Sequence, residues 1–461
     1  MLICYKKGYK LKKKDIIEIK IDKIIFGGEG LGYYEELAIF VPMSVPGDIL
    51  EVEIISLKKT YGRALIKKII TPGADRVDGN RISFEDYQGC DFAMLKYSEQ
   101  LKYKKSMVED VLSRVGKVDL DKVEIFDTIK AENQFNYRNK VIEPFARKNG
   151  KVISGFFKRR SHEVFEVEEN FLQSKLSNKI ISRIKELLNE AKLSVYNEKA
   201  HKGILRHIMV RTTSFNEAMV VLIIKGKLDS KIEDVLNTLY NENDKINSVY
   251  VSINNKRTNF ALGEQNIHLL GERYIKEELY GIEFNISPTS FFQINIEQTK
   301  KLYEKALSYF DDIKNKNIVD AYSGTGTIAM ILSKDANKVY AIEIVESATR
   351  AARKTSIENK IENIEFINGK AEEKIIELIE GGNKIDSIIF DPPRSGIAQN
   401  ILEKLSETKI KEIVYISCNP STFARDTQVL ERLGYKLIKV CPLDMFPNTS
   451  HIEVVGKFSK N

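Results

Sequence analysis

From about residue 317 onward the chain alternates strand and helix, and few folds accept that pattern. NIVDAY, KVYAIE, IEFIN, IDSIIFD and EIVYISC are apolar and β-branched, with helix-length segments between them. Each parallel strand pair needs a crossover long enough for a helix, so the alternation predicts an α/β architecture with a parallel, doubly wound sheet. Two later segments, around YKLIKV and HIEVVGKF, are candidates to complete it. Ligands of such sheets sit outside the carboxyl ends of the strands, so the strand ends carry the candidate site.

The first of these strands ends in Asp320-Ala321-Tyr322-Ser323-Gly324-Thr325-Gly326-Thr327. Its glycines let the backbone turn tightly beneath a ligand. The second ends in Glu343, whose carboxylate can accept bonds from both hydroxyls of a ribose. Gly324-x-Gly326-x-x-Ala329 also fits the dinucleotide fingerprint, which keeps a nicotinamide enzyme open. The fourth strand ends in Asp391-Pro392-Pro393-Arg394, a rigid tip that places a carboxylate beside the crevice. The fifth ends in Ser417-Cys418-Asn419-Pro420. A free cysteine is usually a small buried hydrophobe. One at the carboxyl end of a central strand is a candidate nucleophile.

The chain before this region reads differently. Residues 1–14 carry six lysines and no acid. From Lys14 to Ile70, short alternating segments broken by glycine (IIEIKIDKIIF, GGEGLG, AIFVP, DILEVEIISL, YGRALIKKII) predict a small five-stranded barrel of a kind that often hosts RNA. Thr71-Pro72-Gly73 marks a boundary. The spacing of Leu101, Val108, Val111, Leu112 and Val115 predicts a helix over 98–115 stopped by Gly116. NKVIEPFA and KVISGFF flank Asn149-Gly150, the favoured pair for a type I′ hairpin. That hairpin carries Arg147, Lys148, Lys151, Lys158, Arg159 and Arg160, with Phe156 and Phe157 among them and no acid between Pro144 and His162. Clustered cations of this kind can neutralise several phosphates, so Arg147, Lys148, Arg159 and Arg160 are candidate RNA contacts. A second helix is expected over Leu176–Leu188, and strands over ILRHIMVRTT, EAMVVLIIK and VYVSIN. His162, His201, His207 and His268 lack ligand spacing, so no metal site is expected.

Composition limits the class. The 461 residues allow about three domains at roughly 150 residues each. The longest apolar run, Ala218 to Ile224, is far short of the ~20 residues a membrane-spanning helix needs. The opening MLICYKKGYKLKKK lacks the apolar stretch of a signal peptide. Four cysteines do not make a disulfide scaffold, and a reducing, cytoplasmic setting is expected. Net charge is +7, mildly basic.

Taken together the motifs resemble the S-adenosylmethionine-dependent RNA uracil-5-methyltransferases over nearly the whole chain. Ser290-Phe291-Phe292-Gln293-Ile294-Asn295, DAYSGTGT, Glu343, DPPR, SCNP and HIEVV fall in the family's order. The resemblance implies a TRAM-like RNA-binding barrel over 1–70, a central α+β RNA-binding domain over 71–273 and a Rossmann-like catalytic domain over 274–461. It implies S-adenosylmethionine as cofactor and RNA as partner, with 23S ribosomal RNA expected because tRNA-directed bacterial members typically lack the barrel; tRNA is the alternative. No membrane or protein partner is expected. Cys418 matches the family's nucleophile and Glu453 its base. Gln293, Tyr322, Gly324, Thr327, Glu343 and Asp391 match or line the cofactor site, and Lys370 departs from the residue type usual at its position. Phe291 matches the residue that stacks on the target base, with Gln293 contacting both cofactor and substrate. One of Phe291 and Phe292 is expected in the core.

The chemistry explains these residue types. Uracil C5 is a poor nucleophile until a thiolate adds at C6, which calls for a cysteine with thiolate character. Many ribosomal members hold an iron–sulfur cluster on four cysteines. Here Phe84-Glu85-Asp86-Tyr87-Gln88-Gly89-Cys90-Asp91 retains Cys90 alone, and Asn170 stands at the later position, so no cluster is expected. Three other readings stay open: an exocyclic-amine N-methyltransferase, a nicotinamide-dependent oxidoreductase and a non-catalytic RNA-binding factor.

Overall fold

The computed structural model describes residues 11–77, 89–158, 161–405 and 407–460. Arg159 and Arg160 lie outside the described residues, as do Phe84 to Gln88 of the cysteine-poor segment. The chain forms two compact units. One comprises Met1–Glu132, Glu304–Asp312 and Ile375–Asn461, the other Asn133–Tyr303 and Ile313–Lys374.

In the first unit, strands Ile16–Ile24, Glu29–Tyr34, Leu37–Pro42, Ile49–Leu57 and Tyr61–Thr71 close into a barrel, the last two in exchanged order. Alternation drives it. Ile17, Ile19 and Ile21 point inward from the first strand and meet Ile39, Val41, Leu50, Val52, Ile54 and Ala64. Closure also leaves no unpaired sheet edge to aggregate. The boundary at Thr71-Pro72-Gly73 is fastened back by Asp48. Its fully buried carboxylate accepts from Gly73 N at 2.8 Å and from Arg76 Nε at 3.0 Å. Removing either partner of such a pair costs about 3–5 kcal/mol.

The expected helix runs from Tyr97 to Val111 and then widens into a π turn over Leu112–Gly116. The left-handed residue is Lys117, at φ +56°. Gly116 serves a different need. A side chain there would meet the Ala424 carbonyl at 3.1 Å, so helix Pro420–Arg432 packs directly on its backbone.

Five further strands of this unit lie in the order Ser387–Phe390, Glu412–Ser417, Glu453–Lys460, Tyr435–Leu443, Glu124–Ile125. The first two pair in parallel. The Glu453–Lys460 strand runs antiparallel to both its neighbours, a departure from the all-parallel expectation. The reason is local: a loop, not a crossover helix, joins Leu443 to Glu453, and without a crossover the chain must reverse.

The second unit contains a seven-stranded sheet. Its order is Gln265–Gly271, Ile246–Ile253, Ala218–Ile224, Leu205–Thr212, Lys140–Lys148, Lys151–Phe157, Val164–Glu166. Helices Lys175–Glu190 and Ser230–Asn241 supply one core with it. Ile180, Ile181, Ile184, Leu187 and Leu188 form the buried stripe of the first helix, and Ser174 caps it by accepting from Ser177 N. The hairpin turns at Asn149 (φ +50°) and Gly150 (φ +81°), with Lys148 opposite Lys151. Both central residues have positive φ, as a type I′ turn requires. The same unit carries the parallel strands Ile364–Asn368, Lys338–Glu343 and Asn317–Ala321, in that order.

Candidate active site

Three strand ends of the first unit meet at one edge. Ser387–Phe390 and Glu412–Ser417 finish there, because they run in parallel. Glu453–Lys460 starts there, because it is antiparallel, with Ser417 opposite Val454. The next residues outward are Asp391, Cys418 and Glu453. Register therefore brings together three side chains that are far apart in sequence.

Electrostatics reflects that closeness. Burial pushes the Glu453 carboxyl up to about 8, helped by the charge of Asp391. Burial also pushes half-buried Asp391 up to about 7. The Cys418 thiol is pushed up to about 11, by burial first and then by the fields of Glu453 and Asp391. Arg394 opposes the shift at both Cys418 and Glu453. The cluster thus stores protons: two carboxyls titrate near neutrality beside a thiol that is not ionised at rest.

Helix Pro420–Arg432 holds the cluster's backbone. Asn419 caps it, accepting from Ser421 N at 3.1 Å, and donates to the Arg394 carbonyl at 3.1 Å. Asp426 accepts from Tyr415 Oη at 2.8 Å and from Ile397 N at 2.9 Å. Arg425 donates to the Ser395 carbonyl at 2.8 Å. The tip carrying Asp391 and Arg394 is therefore tied to the helix that follows Cys418. Sequence reasoning gave Arg394 no role of its own and passed over Asn419 and Asp426. Arg394 had a signal in the DPPR motif; Asp426 had none, because its partners come from other segments.

In the second unit the Gly-rich turn follows strand Asn317–Ala321. Tyr322, Gly324 and Gly326 all have positive φ (+64°, +57° and +76°). Glu343 accepts from Gly324 N at 2.9 Å on one oxygen and from Val345 N at 2.7 Å on the other. It therefore joins two strand tips and keeps a lone pair on each oxygen for a ribose diol. A side chain at Gly324 would meet no atom within 4 Å, so the space above the turn is open. Thr327 is buried at the start of helix Thr327–Leu332. These features fit a nucleoside cofactor. Lys370 is exposed and paired with Glu373 at 3.0 Å.

The 287–295 segment of this unit separates two aromatic roles. Phe292 is buried against Phe284, ring centres 5.5 Å apart. Phe291 is 70 % exposed and free to stack. The Gln293 carbonyl accepts from Asn139 Nδ2 at 3.0 Å, which leaves its side-chain amide out of that bond.

A family model described as tRNA (uracil-5-)-methyltransferase matches residues 96–460, and a TRAM domain model matches 10–67. The chain belongs to the tRNA (uracil-5-)-methyltransferase family. It is an S-adenosylmethionine-dependent RNA methyltransferase with an N-terminal TRAM barrel. An uncharacterised RNA methyltransferase of Fusobacterium nucleatum is 59% identical over 97% of this chain and 96% of its own. One from Clostridium tetani is 40% identical, covering 98% and 97%. Among solved structures, a Pyrococcus abyssi tRNA (uracil-54, C5)-methyltransferase with bound S-adenosyl-L-homocysteine is 28% identical. It covers 95% of this chain and 100% of its own, at a TM-score of 0.76.

Other residues singled out in this uracil-5-methyltransferase relative are engaged locally. Arg147 donates to the carbonyls of Gly150 at 2.6 Å and Leu193 at 2.9 Å, so it braces the hairpin. Lys148 is exposed at the turn. Lys158 pairs with Glu163 at 2.5 Å, which removes one cation from the cluster read in the sequence. Cys90 is buried. Asn170 accepts from Leu172 N at 2.8 Å and shapes its own loop. Among the described residues, no group of three or more His, Cys, Asp and Glu could hold a metal ion, and no helix is long and apolar enough to cross a membrane.

Proposed function

We propose that this enzyme methylates C5 of uridine in RNA through a covalent bond between Cys418 and C6 of the base. The meeting of Cys418, Glu453 and Asp391 at one strand edge carries the reading. The Cys418 thiol first loses its proton to solvent. The thiolate then forms the C6–S bond, and the C5=C6 electron pair moves toward the O4 carbonyl as an enolate. Glu343, Gly324, Tyr322, Thr327 and Gln293 would hold S-adenosylmethionine, which when bound would supply an electrophilic methyl group for C5; Asp391 is a further residue that the family pattern assigns to this cofactor. Glu453, as carboxylate, then takes the C5 proton. The released pair restores C5=C6 and expels the Cys418 sulfur. A carboxyl shifted to about 8 is matched to this proton transfer near neutral pH. Phe291, exposed beside Gln293, is the platform for a base withdrawn from its stack.

Residues 1–70 and 71–273 are read as RNA-binding domains feeding a catalytic domain over 274–461. For the target we propose 23S ribosomal RNA, on the strength of the TRAM match. The likeness to the Pyrococcus abyssi tRNA enzyme favours a second reading, tRNA. Incubation with methyl-labelled cofactor and separate ribosomal and tRNA transcripts decides. Label at uridine C5 of ribosomal fragments is the expected result. Label in tRNA alone transfers the assignment to tRNA, and label on an exocyclic amine overturns the uracil reading.

A further inference from the structure

Lys140 and Arg211 stand directly opposite each other where strand Lys140–Lys148 pairs antiparallel with Leu205–Thr212. Like charges facing across a strand pair repel, and burial strengthens the repulsion. Arg211 is 4 % exposed and Lys140 half-buried. Among the described residues, neither is paired with a carboxylate. Arg211 donates one Nη to the Ser290 carbonyl, while its buried Nε has no partner among the described residues. Arg138, two residues before Lys140, also has a buried Nε without a partner among the described residues. Loss of water, with Arg211's charge, pushes the Lys140 amine down to about 8. Two acids of the same unit, Glu143 and Glu277, are committed elsewhere. Glu143 points to the other face of its strand, where it binds Ser154 and Gln173. Glu277 is held by Ser214.

These cations border the segment that carries Phe291 and Gln293. Arg211 holds it at Ser290, and Asn139, between Arg138 and Lys140, donates to the carbonyls of Gln293 and Ile294 at 3.0 Å each. Buried charge with no counter-charge is costly, and a bound anion relieves it. We propose that Arg138, Lys140 and Arg211 seat an RNA phosphodiester next to the nucleotide presented at Phe291. The inference rests on RNA being the substrate and adds which backbone group the protein grips there. An anchored phosphate fixes the strand while its base swings out, so position is set by charge and identity by the pocket.

The test uses the full-length protein with Lys140→Gln and Lys140→Arg. Affinity for a fluorescent RNA stem-loop with a loop uridine is measured from 50 to 300 mM salt. Lys140→Gln is expected to weaken binding about 5–10-fold near 0.1 M salt. The slope of log affinity against log salt should fall by about 0.7–0.9, one phosphate contact. Lys140→Arg is expected to restore both. An unchanged slope overturns the proposal. So does a loss of S-adenosylmethionine affinity in calorimetry with RNA binding intact, which assigns the cations to the cofactor's carboxylate. Because the readout is binding, an altered slope in a protein that transfers no methyl group to uracil keeps this inference and removes the proposed reaction.

Discussion

Cys418 departs from the expectation of an ionised nucleophile. Burial and two neighbouring carboxyls push its thiol up to about 11, so the proposed attack requires the thiol to give up its proton before the sulfur adds. Cys418→Ala should lower methyl transfer by at least about 10³-fold while S-adenosylmethionine binding, followed by calorimetry, stays intact. Retained transfer would point to amine methylation, which needs no thiol. Glu453 works as a base only when ionised, and its carboxyl is pushed up to about 8. Hence kcat/KM should climb as pH passes from 6.5 to 9; a profile falling over that range contradicts the role. Stability carries the opposite sign. Folded Glu453 holds its proton more tightly than the unfolded chain does, whose value is near 4.5. The contribution is therefore fully present below about 4.5 and is lost as pH rises through about 8. Glu453→Gln should raise thermal stability at pH 8, on the order of 1–3 kcal/mol, with little change at pH 4.5. It should also trap the protein–RNA adduct, visible as a slow band on denaturing gels.

At the scale of elements, the loop Asp391–Ile397 and helix Pro420–Arg432 act as one support. Gly396 sits at φ +84°, and a side chain there would meet Asp426 Oδ2 at 2.4 Å, an atom already bound by Tyr415 and Ile397. Gly396→Ala should cost about 1–3 kcal/mol in denaturant unfolding and reduce kcat more than it weakens cofactor binding. An unaltered kcat would show that the loop's anchoring is irrelevant to Asp391 and Arg394. Elements with local causes were legible from sequence: the Asn149-Gly150 hairpin, the helix stripe from Ile180 to Leu188, the strand tips around Gly324. The π turn at 112–116 was not. Gly116 reads as a helix stop, yet its purpose is to admit the backbone of a helix some 300 residues later.

At the scale of the whole chain, the net charge of +7 and the TRAM barrel suit an anionic polymer. RNA affinity should therefore fall steeply between 50 and 200 mM salt, losing roughly tenfold or more with several phosphate contacts, while S-adenosylmethionine affinity changes little. Salt-independent RNA binding would remove electrostatics from recognition. Charge runs in the sequence overstated the supply of free cations, since Lys158 takes Glu163 and Arg147 takes two carbonyls. They also missed Lys140 and Arg211, which are 71 positions apart in sequence and paired across strands.

The sequence alone determined whatever depends on near neighbours: period-two alternation for the barrel, strand–helix alternation for the parallel strands, glycines at a turn with positive φ. Tertiary structure decided where the chemistry assembles. A final strand that reverses direction puts its first residue, Glu453, at the same edge as Asp391 and the residue after Ser417. Register between strands is a long-range property, set by packing and loop length. A pattern read along one segment holds no information about the partner across the sheet.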